Sequence, residues 1–292
     1  MSDPDTLIRF VVDPGHVRGE HIRLGTAWRT VLGRLAYPEA VRDLLGEAVA
    51  ATNLLVATLK FEGRLTLQVR GAGPVSLLVV QARADRRFRA MARWQGEDVA
   101  RGTLGELLGE GQLVITLEPA RGERYQGIVP LSGATLAEAL EEYFTRSEQL
   151  PTRLWLAADG EHCAGLLLQK MPGEGEEAEE DWSRVGHLGA TVRHEELLSL
   201  PGETLLYRLY HEERVRVLEE SDVHFHCGCS RQRVGEMLLS LGREEAESVL
   251  EEQGSIEVDC EFCNAHYRFD AVDVAQLFVA EDATSTAHPT RH

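Results

Sequence analysis

No stretch of this 292-residue chain approaches the roughly 18 consecutive apolar residues that a membrane-spanning helix needs, so no membrane partner is expected. The first residues also lack the basic start of a secretion signal and carry Asp3 and Asp5 instead. A soluble, cytoplasmic protein is predicted. Bases are scarce: 30 Lys and Arg face 48 Asp and Glu, a formal net charge of −18. The overall field therefore repels polyanions, which makes nucleic acid a poor partner. Cysteine is scarcer still. The five present are too few and too unevenly spread for a disulfide scaffold. Four fall between positions 227 and 263 while Cys163 stands alone, and that clustering points to metal or redox chemistry. A Gly-rich phosphate loop, a G-x-S-x-G elbow, an H-E-x-x-H helix and any internal repeat are also missing. No catalytic site is assigned and the chain reads as a non-enzyme.

What is present is enough for a real core. With 43% hydrophobic and 27% charged residues the chain can fold into one or two domains, which excludes wholesale disorder. Residues 64–70 alternate polar and apolar and stop at Gly71, Gly73 and Pro74 before a second strand-like run at 75–80, the pattern of a hairpin. Residues 88–94 alternate likewise, and 113–117, 125–129, 154–158 and 165–169 read as further strands. Their close spacing leaves no room for helical crossovers among 64–94, so antiparallel sheet is predicted. Val41, Leu44, Leu45, Ala48, Val49 and Thr52 recur at three and four, continuing to Leu59, and predict a long core helix. Thr135 with Glu138 fits a capping box for a second helix ending before Pro151. The fold class predicted for residues 1–173 is α+β, an antiparallel sheet with packed helices.

Residues 172–181 hold six acids, two glycines and no base, and read as a solvated boundary. Beyond it, leucines spread among many charges predict short, weakly anchored helices, so 174–220 is taken as an acidic, helical linker. A small domain over 221–280 and a frayed tail over 281–292 complete the organisation.

The strongest chemical signal is Cys227-Gly228-Cys229, then 30 intervening residues, then Cys260-Glu261-Phe262-Cys263. Two close pairs can complete a closed tetrahedron around one Zn2+, with Zn–S distances of about 2.3 Å and no open position for substrate. Helices over 230–241 and 244–252 and a strand over 256–258 would fill the interval. Apolar residues are too few there to fold alone, so metal binding worth roughly 10 to 16 kcal/mol would supply the folding energy. Such a site reads as a structural staple or as a redox switch. The C-x-C pair favours the second, because a disulfide across it closes a small, strained and labile ring. Four thiolates on one zinc carry net charge −2, stay deprotonated and are open to peroxide. His224, His226 and His266 flank the cysteines as substitute ligands. A zinc deaminase would need His-x-Glu ahead of a cysteine pair, and His224-Phe225-His226 lacks the Glu. Cys260 also lies too late in the chain for a thioredoxin-like site. Cys163 reads as a small buried side chain, and neighbouring His162 would point to the opposite strand face.

The four cysteines, together with other stretches, resemble the 33 kDa chaperonin (heat-shock protein 33) family of redox-regulated bacterial holdases. Those stretches are Thr58-Leu59-Lys60-Phe61-Glu62-Gly63, Glu123-Arg124-Tyr125-Gln126-Gly127, the run from Tyr143 to Arg153, and Leu209-Tyr210-His211-Glu212-Glu213, in that order. The similarity extends from about Leu7 to Leu277. It implies an ATP-independent chaperone with a core domain, a metastable linker and a C-terminal zinc switch that is inactive when reduced and metal-loaded. Carried onto this chain, it implies one zinc on Cys227, Cys229, Cys260 and Cys263. It also implies redox disulfides Cys227–Cys229 and Cys260–Cys263, zinc release, linker unfolding, a homodimer on activation and unfolded client proteins as partners. The chain departs from the pattern in its Glu-rich 174–181 segment and in Cys163. A structural zinc-ribbon interaction module and a thiol oxidoreductase are the alternatives from other classes.

Overall fold

The computed structural model describes residues 4–59, 62–173 and 175–285. Lys60 and Phe61 of the Thr58 to Gly63 stretch, Glu174 of the acidic boundary, and 286–292 of the tail lie outside them. The chain divides into two compact units, Met1–His226 and Cys227–His292. Both are α+β.

The first unit opens with the antiparallel hairpin β1 (Thr6–Val12) and β2 (Val17–Leu24), then α1 (Thr26–Leu32) and α2 (Glu39–Thr58). A meander of β3 (Gly63–Gly71), β4 (Val75–Arg83) and β5 (Arg87–Trp94) precedes α3 (Leu104–Leu108). After it come β6 (Gly111–Pro119), β7 (Tyr125–Pro130), α4 (Leu136–Arg146), β8 (Thr152–Ala158) and β9 (Cys163–Lys170). Three helices follow, α5 (Glu176–Gly189), α6 (His194–Ser199) and α7 (Gly202–Tyr210), and then β10 (Val215–Asp222) and β11 (His224–Phe225). The strands form two sheets, in the orders β10-β1-β2-β9-β8 and β11-β5-β4-β3-β6-β7. The runs 64–70 and 75–80 become the β3–β4 pairing, with Leu67 opposite Val80 and Val69 opposite Leu78.

Helix α2 packs against strands of both sheets, so it is buried around nearly its whole circumference rather than along one stripe. That accounts for the scarcity of charge between Ala48 and Ala57, and it makes α2 the centre of the larger core. The second face of the five-stranded sheet carries Ile8, Phe10, Leu166 and Leu168, and α5, α6 and α7 cover it with Trp182, Leu198, Leu205 and Tyr210. Strand β9 is consequently buried on both faces, and its sequence runs apolar without alternating.

Two expectations change here. The acidic 172–181 segment is not simply solvated, because from Glu176 it forms the first turns of α5, with Ala178, Asp181 and Trp182 buried. The leucines that follow are not weakly anchored either: Leu205 is fully buried and Leu209 nearly so. At α4, Thr135 Oγ1 accepts from Glu138 N at 3.2 Å, but Glu138 Oε2 accepts from Ala134 N at 2.6 Å, one residue before the N-cap. The reciprocal box stands at α3, between Thr103 and Glu106, where the sequence reading assigned no helix.

The second unit contains α8 (Arg231–Leu241), α9 (Arg243–Gln253), the antiparallel pair β12 (Ile256–Asp259) and β13 (His266–Phe269), and α10 (Ala271–Ser285). Ser230 caps α8, its Oγ accepting from Arg233 N at 3.2 Å. The core of this unit is small and centres on Leu238, Ile256, Phe269, Val274 and Phe278.

Candidate metal centre

Two short loops build the site. Cys227 and Cys229 precede α8, with Gly228 between them; Arg233 Nη1, from the first turn of α8, donates to Gly228 O at 2.6 Å and pins that loop. Cys260 and Cys263 occupy the turn joining β12 to β13. There Cys263 N and Asn264 N both donate to Cys260 O, at 3.2 and 2.7 Å, and Cys260 N donates to Ala265 O at 2.9 Å. Asn264 completes this knuckle at φ 55°, a left-handed conformation that asparagine tolerates.

The four sulfurs lie within 4.8 Å of one another. Cys227 Sγ is 3.6 Å from Cys260 Sγ, and Cys229 Sγ is 3.1 Å from Cys263 Sγ. A tetrahedral zinc with Zn–S near 2.3 Å requires sulfurs about 3.8 Å apart, so a small adjustment of the side chains accommodates the ion. Burial, and then the hydrogen bond with Cys229, push the Cys263 thiol well above its ordinary pKa. Tyr267 Oη donates to Cys229 Sγ at 3.2 Å, and that bond pushes the phenol up to about 12. Four such sulfurs cannot all ionise side by side without a compensating charge, and a divalent cation supplies it. An all-thiolate donor set suits a soft ion such as zinc.

The structure brings all four sequence-selected cysteines together. The flanking histidines do not belong to that group among the described residues. His266 turns to Asp259, with Nδ1 2.8 Å from Oδ1, while the backbones of His224 and His226 pair with Arg86 and Phe88. Cys163 is fully buried at the start of β9, where burial raises its thiol far above the ordinary range and leaves it inert. His162 lies just ahead of the strand and its Nε2 accepts from Arg23 Nη2 at 2.9 Å, which engages that ring nitrogen with a guanidinium. Tyr267 and Arg233 are the parts of the site that the sequence reading missed. Their types are ordinary for a strand and a helix, and only the fold aims them at the loops.

The sequence profile of the family described as Hsp33 protein matches residues 5–270. A protein of Nitrosococcus oceani named 33 kDa chaperonin is 51% identical, covering 99% of this chain and all of that protein. One of the same name from Pseudomonas paraeruginosa is 48% identical over the full length of both. The crystal structure of the 33 kDa chaperonin from Thermotoga maritima superposes with a TM-score of 0.82, covering 96% of this chain and all of that one. At 22% identity that likeness speaks for the fold.

Proposed function

Because this chain belongs to the Hsp33 family, we propose that it is a redox-regulated, ATP-independent holdase, a cytoplasmic protein that binds unfolding proteins under oxidative stress. The observation that carries this reading is the four-sulfur cluster, set in a unit whose own apolar core is small. One zinc, bound by Cys227, Cys229, Cys260 and Cys263, would supply positive charge that holds the sulfurs as thiolates and ties the two loops together. In that reduced state the chain is inactive. Peroxide then withdraws two electrons from each close pair, forming Cys227–Cys229 and Cys260–Cys263. Each peroxide takes up two protons and leaves as two waters. The sulfurs are no longer available as ligands, the metal is lost and the second unit unfolds.

Unfolding spreads in this proposal to α5, α6 and α7. Their departure would uncover Ile8, Phe10, Leu166 and Leu168 on the sheet together with the helices' own leucines, an apolar surface for unfolded clients. The exposed state associates as a homodimer. Its net charge of −18 keeps it soluble and disfavours nucleic acid.

Light scattering of a heat-unfolding client tests the proposal, comparing reduced, zinc-loaded protein with protein treated with peroxide at elevated temperature while a chromophoric chelator reports released zinc. Suppressed aggregation only after oxidation, in step with zinc release, is expected. Retained zinc with no protection would favour a structural zinc-ribbon module, and catalytic turnover of insulin disulfides would favour a thiol oxidoreductase.

A further inference from the structure

At one end of the space between the two sheets of the first unit lies a cavity of about 510 Å3, within the usual range of small-molecule sites. Leu55 of α2, Leu65 of β3, Ile115 and Leu117 of β6 and Phe144 of α4 make most of its wall apolar. Arg18 of β2 also lines it. Its guanidinium is held by a chain of neutral groups. Nε donates to Gln169 Oε1 at 3.0 Å and Nη2 donates to the same oxygen; buried Gln169 donates from Nε2 to Thr152 Oγ1 at 2.9 Å; and Thr152 donates in turn to Leu150 O.

Other arginines of this unit meet carboxylates directly: Arg9 pairs with Glu219, Arg64 with Glu118 and Arg184 with Glu213. Glu20, two residues along β2, feels the Arg18 charge, but burial raises its carboxyl to about 7, so it offers less than a full charge at neutral pH. Glu148, which also lines the cavity, accepts from Tyr143 Oη at 2.8 Å and from Tyr125 Oη at 3.2 Å, which occupies that carboxylate with phenol donors. Lys170, the other cation of the lining, is paired with Glu179. An apolar cavity with a fixed cation that has no direct carboxylate partner among the described residues asks for an anionic head on an apolar body.

We propose that this cavity binds a single-chain carboxylate amphiphile of the fatty-acid class, its carboxylate on the Arg18 guanidinium and its acyl chain along the Leu55, Leu65, Ile115 and Phe144 wall. The site belongs to the reduced, folded protein and stands or falls independently of the holdase reading.

Calorimetric titration of the full-length, reduced, zinc-loaded chain with laurate below its micelle concentration tests it, with 1-dodecanol as the uncharged comparison. One saturable site is expected. Arg18→Gln should weaken laurate at least tenfold and leave dodecanol, the weaker ligand, unchanged. Ile115→Trp, which fills the cavity, should abolish both while thermal melting shows the chain folded. Absence of saturable laurate binding, equal affinity for laurate and dodecanol, or an Arg18→Gln variant with parental laurate affinity would overturn the proposal. Survival of binding in a folded Ile115→Trp variant would do so as well, and should that variant fail to fold, the Arg18→Gln and dodecanol comparison decides alone.

Discussion

His21, in the middle of β2, has both ring nitrogens buried without a hydrogen-bond partner among the described residues. Burial, reinforced by the Arg23 guanidinium, lowers it from 6.5 to about 4. The unfolded chain therefore takes up this proton before the folded one does. Stability is lost as pH falls from about 6.5 towards 4, by an amount on the order of 3 kcal/mol once the proton difference is complete. His21→Leu should remove much of that loss, so urea midpoints for parent and variant should diverge between pH 6.5 and 5 with the variant the flatter. A parent midpoint that does not move with pH would sink the argument. At this scale the sequence was legible where chemistry forces a pattern. Cys227, Cys229, Cys260 and Cys263 declare a site by their spacing, whereas His21 and Tyr267 acquire their roles only from what the fold places against them. Cys163 was read correctly as buried because a lone small thiol beside Ala164 and Gly165 on an apolar strand has little else to do.

Among the elements, α5 is held to the hairpin by a polar chain. His16 Nδ1 donates to Asp181 Oδ2 at 2.7 Å, Arg184 donates to Asp181 Oδ1 at 2.6 Å, and Arg184 Nε donates to Glu213 Oε1 at 2.7 Å. Asp181→Asn leaves the shape and removes the charge. The expected loss is about 1–2 kcal/mol, read as faster amide exchange across α5 with α2 unchanged. Helix α7 approaches the sheet so closely that a Cβ at Gly202 would lie 2.6 Å from Ile8 Cδ1 and 2.7 Å from His21 Nδ1. Gly202→Ala should accordingly displace the start of α7 at a cost of about 1–3 kcal/mol in a denaturant titration. An unshifted midpoint would mean that the sheet yields instead. These helices were half-legible. Their leucines announced helix, but in the acidic stretch the charges hid the phase: Ala178, Asp181, Trp182 and Val185 recur at three and four and form the buried stripe. Strand β10 was missed because its exposed edge leaves it with no apolar alternation to read.

For the whole molecule, the two units differ in what holds them. Among the described residues the first has two apolar cores built on its sheets and helices, whereas the second has one small cluster around Leu238, Ile256 and Phe269 beside the four sulfurs. Metal coupling of roughly 10 to 16 kcal/mol is as large as the 5 to 15 kcal/mol that stabilises an ordinary domain, so a bound zinc would decide whether the second unit is ordered. Chelation of the reduced protein should therefore cost helix content equivalent to α8, α9 and α10 in far-ultraviolet circular dichroism and remove amide protection over 227–279. Protection of α2 at the centre of the first unit should persist, because its shelter comes from both sheets. Cys227→Ser should reproduce the chelated state without a chelator and resist repair by added zinc. Retained protection over 227–279 in both experiments would show that the small apolar cluster folds the unit by itself, and oxidation of the sulfurs could then not act through loss of the metal.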